Sequence, residues 1–362
     1  MVDASSSSAG LDGALAGRRV EVLIVDDSVV VRRILSRALA DDGRFHVAGA
    51  VSNGEQALAF IADHPVDLVL LDMQMPGMTG LQLLPLLLAA DGMPQVVLLS
   101  GKLREGGDTA LQALAQGASD VIAKPSAGHF SKPFIDHLVD RLIRLAPSGE
   151  RSRAPQMADQ MNARLRALGN QVRAVGIGGS TGGISAVLTL IAGMEAINAP
   201  LFVTQHLPAN FQPLFAEQLR RVTPMPVMIG EQGMLVHPGT IYVAPGHAHL
   251  SLGKGAGGQV HIALSTERCL HGSYPAVDPM FAALASIYGA SACGIILSGM
   301  GRDGLAGAQS LVERGGWLVA QDHESSAVWG MPGSVVKAGL ASAILPPTAI
   351  ADLVLRHSGI CA

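Results

Sequence analysis

The chain has 362 residues, too many for one ordinary core, and a typical domain of roughly 100 to 200 residues points to two. Hydrophobic residues make up 49% and charged residues 15%, with 43 glycines; this balance excludes a disordered or fibrous chain and supplies apolar material for two cores. The formal net charge of −4 has no basic block behind it, so a nucleic-acid partner is not expected.

Met1 to Gly17 is rich in Ser, Gly and Ala and lacks a charged segment followed by an apolar one, so it reads as a disordered lead-in and not as a secretory signal. From Val20 onward, apolar strand-like runs alternate with amphipathic helices. Strands are predicted at 20–25, 46–51, 68–71, 95–99 and 121–123, and helices near 29–40, 55–62, 80–90, 109–117 and 132–145. Five strand–helix repeats make a doubly wound parallel sheet, in a domain spanning 18–145. The longest leucine-rich stretch is broken by Gln82 and Pro85; no run approaches the ~20 apolar residues of a membrane span, and no insertion into a membrane is expected.

Pro147, Ser148, Gly149, Arg151, Ser152, Arg153 and Pro155 then mark a linker, 146–171, whose polar second half is compatible with a helix. A second domain, 172–357, opens with a strand at 172–177, a helix at 182–192, a strand at 201–205 and a helix at 211–221. Its middle is denser in Gly and Pro, with short β-prone runs at 241–244, 249–252 and 259–262. This suggests hairpins inserted into a doubly wound, mostly parallel α/β domain. A helix at 279–288, a strand at 294–298, a helix at 305–314 and a strand at 317–321 restore the alternation. Cys269, Cys293 and Cys361 are odd in number and without C-x-x-C spacing, which argues against a disulfide framework or structural zinc and fits a reducing cytoplasm.

Two constellations carry chemistry. In the first domain Asp26 and Asp27 follow one apolar run and Asp72 follows another, so all three carboxylates should emerge at the carboxyl edge of the sheet, where doubly wound folds bind ligands. Clustered carboxylates repel one another, and a hard divalent cation such as Mg²⁺ relieves this through oxygen ligands. Ser100 ends the fourth strand and Lys124 the fifth. A metal, a hydroxyl and an ammonium around one carboxylate suit an incoming phosphoryl group, whose oxygens need charge neutralisation. The rival reading, that strand-end Asp residues only cap helices, applies best to the Asp27-Ser28 pair. Over nearly all of residues 20–145 the set resembles the receiver domain of two-component response regulators. The resemblance implies a flavodoxin-like five-stranded sheet, Asp72 as phosphoacceptor, Asp26 and Asp27 with Asp72 as the Mg²⁺ carboxylates, and Ser100 and Lys124 in contact with the phosphoryl group. Two positions depart from the receiver pattern: Val121 stands where many receivers carry an aromatic residue, and Gly101 where a second serine is common.

In the second domain Gly178-Gly179-Ser180-Thr181-Gly182 lies between an apolar strand and an amphipathic helix and matches G-x-S-x-G, the elbow that exposes a serine Oγ. A phosphate-cradling loop is the rival, weakened because no Gly-Lys-Ser/Thr follows and G-x-G-x-x-G fails at Thr181; a plain glycine-rich turn is the other. His206 directly follows the strand at 201–205, at the edge expected for Ser180, which permits a serine–base pair. Asp303 lies where the chain runs from the strand at 294–298 into a helix and fits the orienting carboxylate, although such an Asp also serves as a helix cap. Backbone N–H groups near Met300 are candidates to stabilise an oxyanion.

Ser180-Thr181-Gly182-Gly183, Gln205-His206-Leu207-Pro208, Tyr242-Val243-Ala244-Pro245-Gly246-His247, Gly299-Met300-Gly301-Arg302-Asp303-Gly304 and Trp329-Gly330-Met331-Pro332 resemble, in this order, motifs of the chemotaxis protein-glutamate methylesterase family. The resemblance covers almost all of residues 20–355. It implies hydrolysis of glutamyl methyl esters on methylated chemoreceptors, with deamidation of receptor glutamines. A chemotaxis histidine kinase is the implied phosphodonor; Mg²⁺ is implied for phosphorylation only, with no cofactor for ester hydrolysis. The catalytic roles fall on Ser180, His206 and Asp303, the oxyanion donor on Met300, and a positioning role on Thr181. Gln218 departs from an arginine common in the family. Two alternatives remain: a non-catalytic adaptor, which would not require Ser180, His206 and Asp303 together, and a DNA-binding regulator, which would require a basic recognition helix after the linker.

Overall fold

The computed structural model describes residues 18–90, 92–101, 107–125, 130–146, 171–195, 197–269 and 272–358. The expected lead-in and residues 147–170 of the expected linker lie outside the described residues.

In the first sheet, β1 (Val20–Val25), β2 (Phe45–Val51), β3 (Leu68–Asp72), β4 (Gln95–Ser100) and β5 (Asp120–Ala123) run parallel in the order β2-β1-β3-β4-β5. This is the flavodoxin-like order. The central strands are near-continuous apolar runs because a parallel sheet is buried on both faces: Leu68, Val69, Leu70 and Leu71 are all 0% exposed. Helix α1 (Val29–Asp42) begins at Ser28, whose hydroxyl accepts from the Val31 N–H, and stops at Gly43 in the left-handed region. Asn53 caps α2 (Gly54–Asp63), and Thr79 with Gln82 forms a capping box at α3 (Gly80–Leu88). Helices α4 (Gly107–Ala115) and α5 (Lys132–Leu145) complete the alternation.

The chain divides into two compact units, and α4 is grouped with the second, where Leu111 joins the buried cluster of Val187, Phe215 and Leu219. The second unit carries a seven-stranded sheet, all of it parallel, built from β6 (Ala174–Gly179), β7 (Leu201–Gln205), β8 (Val227–Ile229), β9 (Ile241–Val243), β12 (Ala292–Ile296), β13 (Trp317–Gln321) and β14 (Ala343–Leu345). Its order is β14-β13-β12-β6-β7-β9-β8, so the chain winds outward in one direction from β6 and later returns to β12 on the other side. The strand order therefore reverses between β6 and β12, the place where such folds open a crevice. Side chains alternate between two cores: Val175, Ile177, Leu201 and Val203 join one, and Ala174 and Phe202 the other. Around the sheet lie α6 (Gly183–Ala192), α7 (Gln212–Val222), α8 (Asp278–Tyr288), α9 (Leu305–Glu313), α10 (Gly330–Lys337) and α11 (Pro347–His357).

The middle segment differs from the hairpin expectation. Only β10 (His249–Lys254) and β11 (Val260–Ser265) form an antiparallel hairpin. The run at 241–243 instead extends the main sheet beside β7, with Tyr242 stacked on Phe202 at 5.6 Å. Ile241, Tyr242 and Val243 are all buried there, which a half-exposed hairpin would not allow.

Strand β6 is lined with glycine for a physical reason. A Cβ at Gly178 would stand 2.6 Å from Val277 Cγ1, and one at Gly176 would run into Leu284 and lie 3.0 Å from Phe281 Cε1. Glycine lets α8 and the residue before it close directly on the strand.

Candidate active site and phosphoacceptor site

The first site forms where β1, β3, β4 and β5 end. Asp26 and Asp72 are buried and Asp27 is exposed; one carboxylate oxygen from each lies within 4.8 Å of the others. Lys124 reaches in from the end of β5, with its Nζ 2.7 Å from Asp26 Oδ2 and 2.8 Å from Asp72 Oδ1. Ser100 is 5% exposed, and its carbonyl accepts from the Lys124 N–H at 2.7 Å, which holds the ends of β4 and β5 level. Burial pushes the Asp72 carboxyl above its ordinary range; Lys124 opposes this, Asp26 adds to it, and the Gln74 N–H opposes it weakly. Three hard oxygen donors with one ammonium between them leave excess negative charge, the donor set that suits Mg²⁺. Ser28 rather than Asp27 caps α1, so the helix-cap reading does not account for Asp27. Val121 is buried at 8% exposure.

The second site lies at the reversal between β6 and β12. Gly179 pairs with Gln205, so the next residues, Ser180 and His206, leave neighbouring strands at the same level, and the His206 N–H donates to the Gly179 carbonyl at 3.0 Å. The Ser180 N–H donates to the Ser298 carbonyl at 3.0 Å, tying the elbow to the segment after β12. His206 Nε2 is 2.6 Å from Asp303 Oδ2. With Nε2 engaged, Nδ1 is the nitrogen left to take a proton from a hydroxyl. Among the described residues, no hydrogen bond joins Ser180 Oγ to His206.

Asp303 is 2% exposed and accepts N–H groups from Val277 at 2.7 Å, Asp278 at 3.2 Å and Gly304 at 2.9 Å. Burial alone would raise its carboxyl, but the His206 hydrogen bond and charge, with the Val277 and Asp278 N–H groups, hold it below the ordinary range. The carboxylate is thus kept ionised next to the imidazole. The cap reading does not fit: Gly304 is the N-cap of α9, and no side chain caps that helix.

Gly299 brings the Met300 loop against the serine. Its N–H and carbonyl are taken by Val328 and Met331, whereas no group among the described residues accepts the Met300 N–H. A Cβ at Gly299 would lie 2.9 Å from Ser180 Cβ and would meet Met331 Sδ. We therefore expect Gly299→Ala to displace the serine and lower kcat roughly tenfold to hundredfold, with a melting temperature within a few degrees of wild type, read by steady-state ester hydrolysis and thermal melting. Thr181 contributes its carbonyl, which accepts from Ser298 Oγ at 2.8 Å. Ser298, wholly buried, also accepts the Val328 N–H at 3.0 Å. Its role was not readable from the sequence, because its partners are 117 and 30 residues away. Trp329 bridges to Gly299 and donates its Nε1–H to the Gln321 carbonyl at 2.9 Å. Gln218 is buried in α7.

A carboxylate-lined sheet of receiver order, joined in one chain to a larger α/β domain with a serine elbow, defines a response regulator with an enzyme-type output domain. Residues 22–130 match the response regulator receiver domain and residues 175–354 the CheB methylesterase family. The protein-glutamate methylesterase/protein-glutamine glutaminase 2 of Caulobacter vibrioides is 38% identical over 90% of this chain and 95% of that protein. The corresponding protein of Azospirillum brasilense is 34% identical over 92% and 91%. The crystal structure of the Thermotoga maritima CheB methylesterase catalytic domain is 35% identical, with a TM-score of 0.50, covering 51% of this chain and 98% of that one. The chain belongs to the protein-glutamate methylesterase/protein-glutamine glutaminase family. Among the described residues, no helix is long and apolar enough to cross a membrane.

Proposed function

We propose that this chain is a phosphorylation-activated methylesterase of sensory adaptation, which hydrolyses glutamate methyl esters on chemoreceptors and deamidates receptor glutamines in the cytoplasm. The observation that carries the reading is the His206–Asp303 bond beside a serine at the matched strand end.

Ser180 Oγ attacks the ester carbonyl carbon as His206 Nδ1 takes its proton. Asp303 holds the ring through Nε2 and stabilises the imidazolium. The Met300 N–H donates to the oxyanion, and Thr181 shapes the elbow around the serine. The imidazolium then returns its proton to the departing methoxide, which leaves as methanol. A water, deprotonated by His206, attacks the acyl-enzyme and releases the glutamate carboxylate with Ser180 restored. With glutamine as substrate the leaving group is ammonia.

In the receiver, a carboxylate oxygen of Asp72 attacks the phosphorus of a phosphohistidine on the kinase, and the P–N bond breaks to release the kinase imidazole. Asp26, Asp27 and Asp72 would hold Mg²⁺, which when bound supplies charge neutralisation for the phosphoryl oxygens. Lys124 moves its ammonium from the free carboxylates to the phosphoryl group, and Ser100 donates its hydroxyl.

The test is a phosphodonor titration reading methanol release from methylated receptor. Wild type is expected to rise severalfold with donor, whereas Asp72→Asn stays at the basal rate. No methanol from either would overturn the esterase reading; equal stimulation of both would overturn control through Asp72.

A further inference from the structure

Two buried glutamines lie beneath the candidate serine and histidine, and the mechanism above uses neither. Gln205, 1% exposed, ends β7 and donates from Nε2 to the Ser180 carbonyl at 2.7 Å. Gln212, 0% exposed, opens α7 and donates from Nε2 to the carbonyl of Gln205 at 3.2 Å and that of Leu207 at 3.3 Å. These two carbonyls flank His206. In each glutamine Oε1 is buried without a hydrogen-bond partner. A buried amide left half-satisfied is worse for packing alone than a hydrophobe of its volume, so its donors are the reason for its presence.

The surrounding backbone is cut to admit these amides. A Cβ at either Gly179 or Gly183 would stand 2.7 Å from Gln205 Oε1, and one at Gly246 would stand 2.8 Å from Gln212 Cγ. Gln212 thus bonds to the carbonyls of the residues before and after His206, and Gln205 to the carbonyl of the candidate nucleophile itself. The two bonds run in series, from Gln212 to the Gln205 carbonyl and from the Gln205 amide to the Ser180 carbonyl.

We infer that Gln212 and Gln205 are positioning residues for the hydrolytic step: Gln212 holds the backbone at Gln205 and Leu207, before and after His206, so that its ring keeps Nε2 on Asp303 and turns Nδ1 toward Ser180, and Gln205 fixes the elbow that presents Ser180. This rests on the Ser180–His206–Asp303 reading. Neither glutamine touches the reacting atoms, so their loss acts on kcat while receptor binding is retained. An ångström of misplacement at a reacting pair costs on the order of a hundredfold.

The experiment compares full-length wild type, Gln212→Met, Gln212→Glu, Gln205→Met and Ser180→Ala. Readouts are kcat and KM for methanol release, phosphonylation of Ser180 by a small organophosphonate, and thermal melting. Gln212→Met removes the donors at similar volume; Gln212→Glu keeps the shape but offers acceptors to two carbonyls. Both Gln212 variants and Gln205→Met are expected to lose roughly tenfold to hundredfold in kcat, with KM within about twofold and phosphonylation slowed in parallel. A folded Gln212 variant whose kcat and phosphonylation stay within about twofold of wild type, even with a lowered melting temperature, overturns the inference, because only packing was lost. If neither Gln212 variant folds, the amide is a folding requirement and the inference also falls. Ser180→Ala separates the two levels: methanol release retained in that variant removes the serine mechanism itself, whereas release abolished there but unchanged in the Gln212 variants removes only the positioning role.

Discussion

Ser180→Ala is expected to lower methanol release from methylated receptor by on the order of 10⁴-fold or more, while receptor binding is unchanged. The methyl that remains cannot form the acyl bond, and the oxyanion donor alone leaves only weak acceleration of attack by water. The substitution removes one hydroxyl at a half-buried position, so folding and phosphorylation of Asp72 should be intact. A rate within tenfold of wild type would mean that another group supplies the nucleophile.

Asp303→Asn is expected to cost on the order of 10⁴-fold in kcat with its shape preserved. Four donors converge on this carboxylate: His206 Nε2 and the Val277 N–H on Oδ2, and the Asp278 and Gly304 N–H groups on Oδ1. An amide offers one oxygen where the site presents donors to two. With its NH₂ toward His206, it forces Nε2 to accept, which moves the ring proton to Nδ1 and removes the base facing Ser180. Turned the other way, it opposes the Asp278 and Gly304 N–H groups. The same carboxylate gives a pH test. Its folded value lies below the ordinary 3.8, so it contributes stability that is present above about pH 4 and lost as pH falls through the folded value. The stability advantage of wild type over Asp303→Asn should therefore be present at neutral pH and shrink as pH falls through the lowered Asp303 value in urea melts. A pH-independent difference would argue against an ionised, His206-bonded Asp303.

The sequence was most legible where an apolar run ends in a chemically distinct residue. Asp72 after Leu68 to Leu71, and His206 after Leu201 to Gln205, stand at strand ends because a buried parallel strand must stop where a polar side chain needs water or a partner. Most strand boundaries shifted by no more than two residues; the end of β11 lies three residues beyond its expected position. The three-residue strands were less legible: Val227–Ile229 and Ile241–Val243 are too short to show a period, and their pairing with each other and with β7 depends on a sheet edge built elsewhere in the chain. Strand β14 and helices α10 and α11 also carry weak local signals, α10 beginning Gly-Met-Pro-Gly. Glutamines such as Gln205 and Gln212 look in sequence like solvated polar residues, and only the neighbouring strands and loops reveal which carbonyls they serve.

Val277 ties the two halves of the candidate active site to one point. Its side chain fills the space that Gly178 leaves on the strand that leads to Ser180, and its N–H anchors Asp303. A shift at this one residue would move the serine elbow and the carboxylate together. Ser180 and Asp303 therefore have little freedom to shift independently, and sequence drift should be tightly restricted at Val277, the residue just before α8.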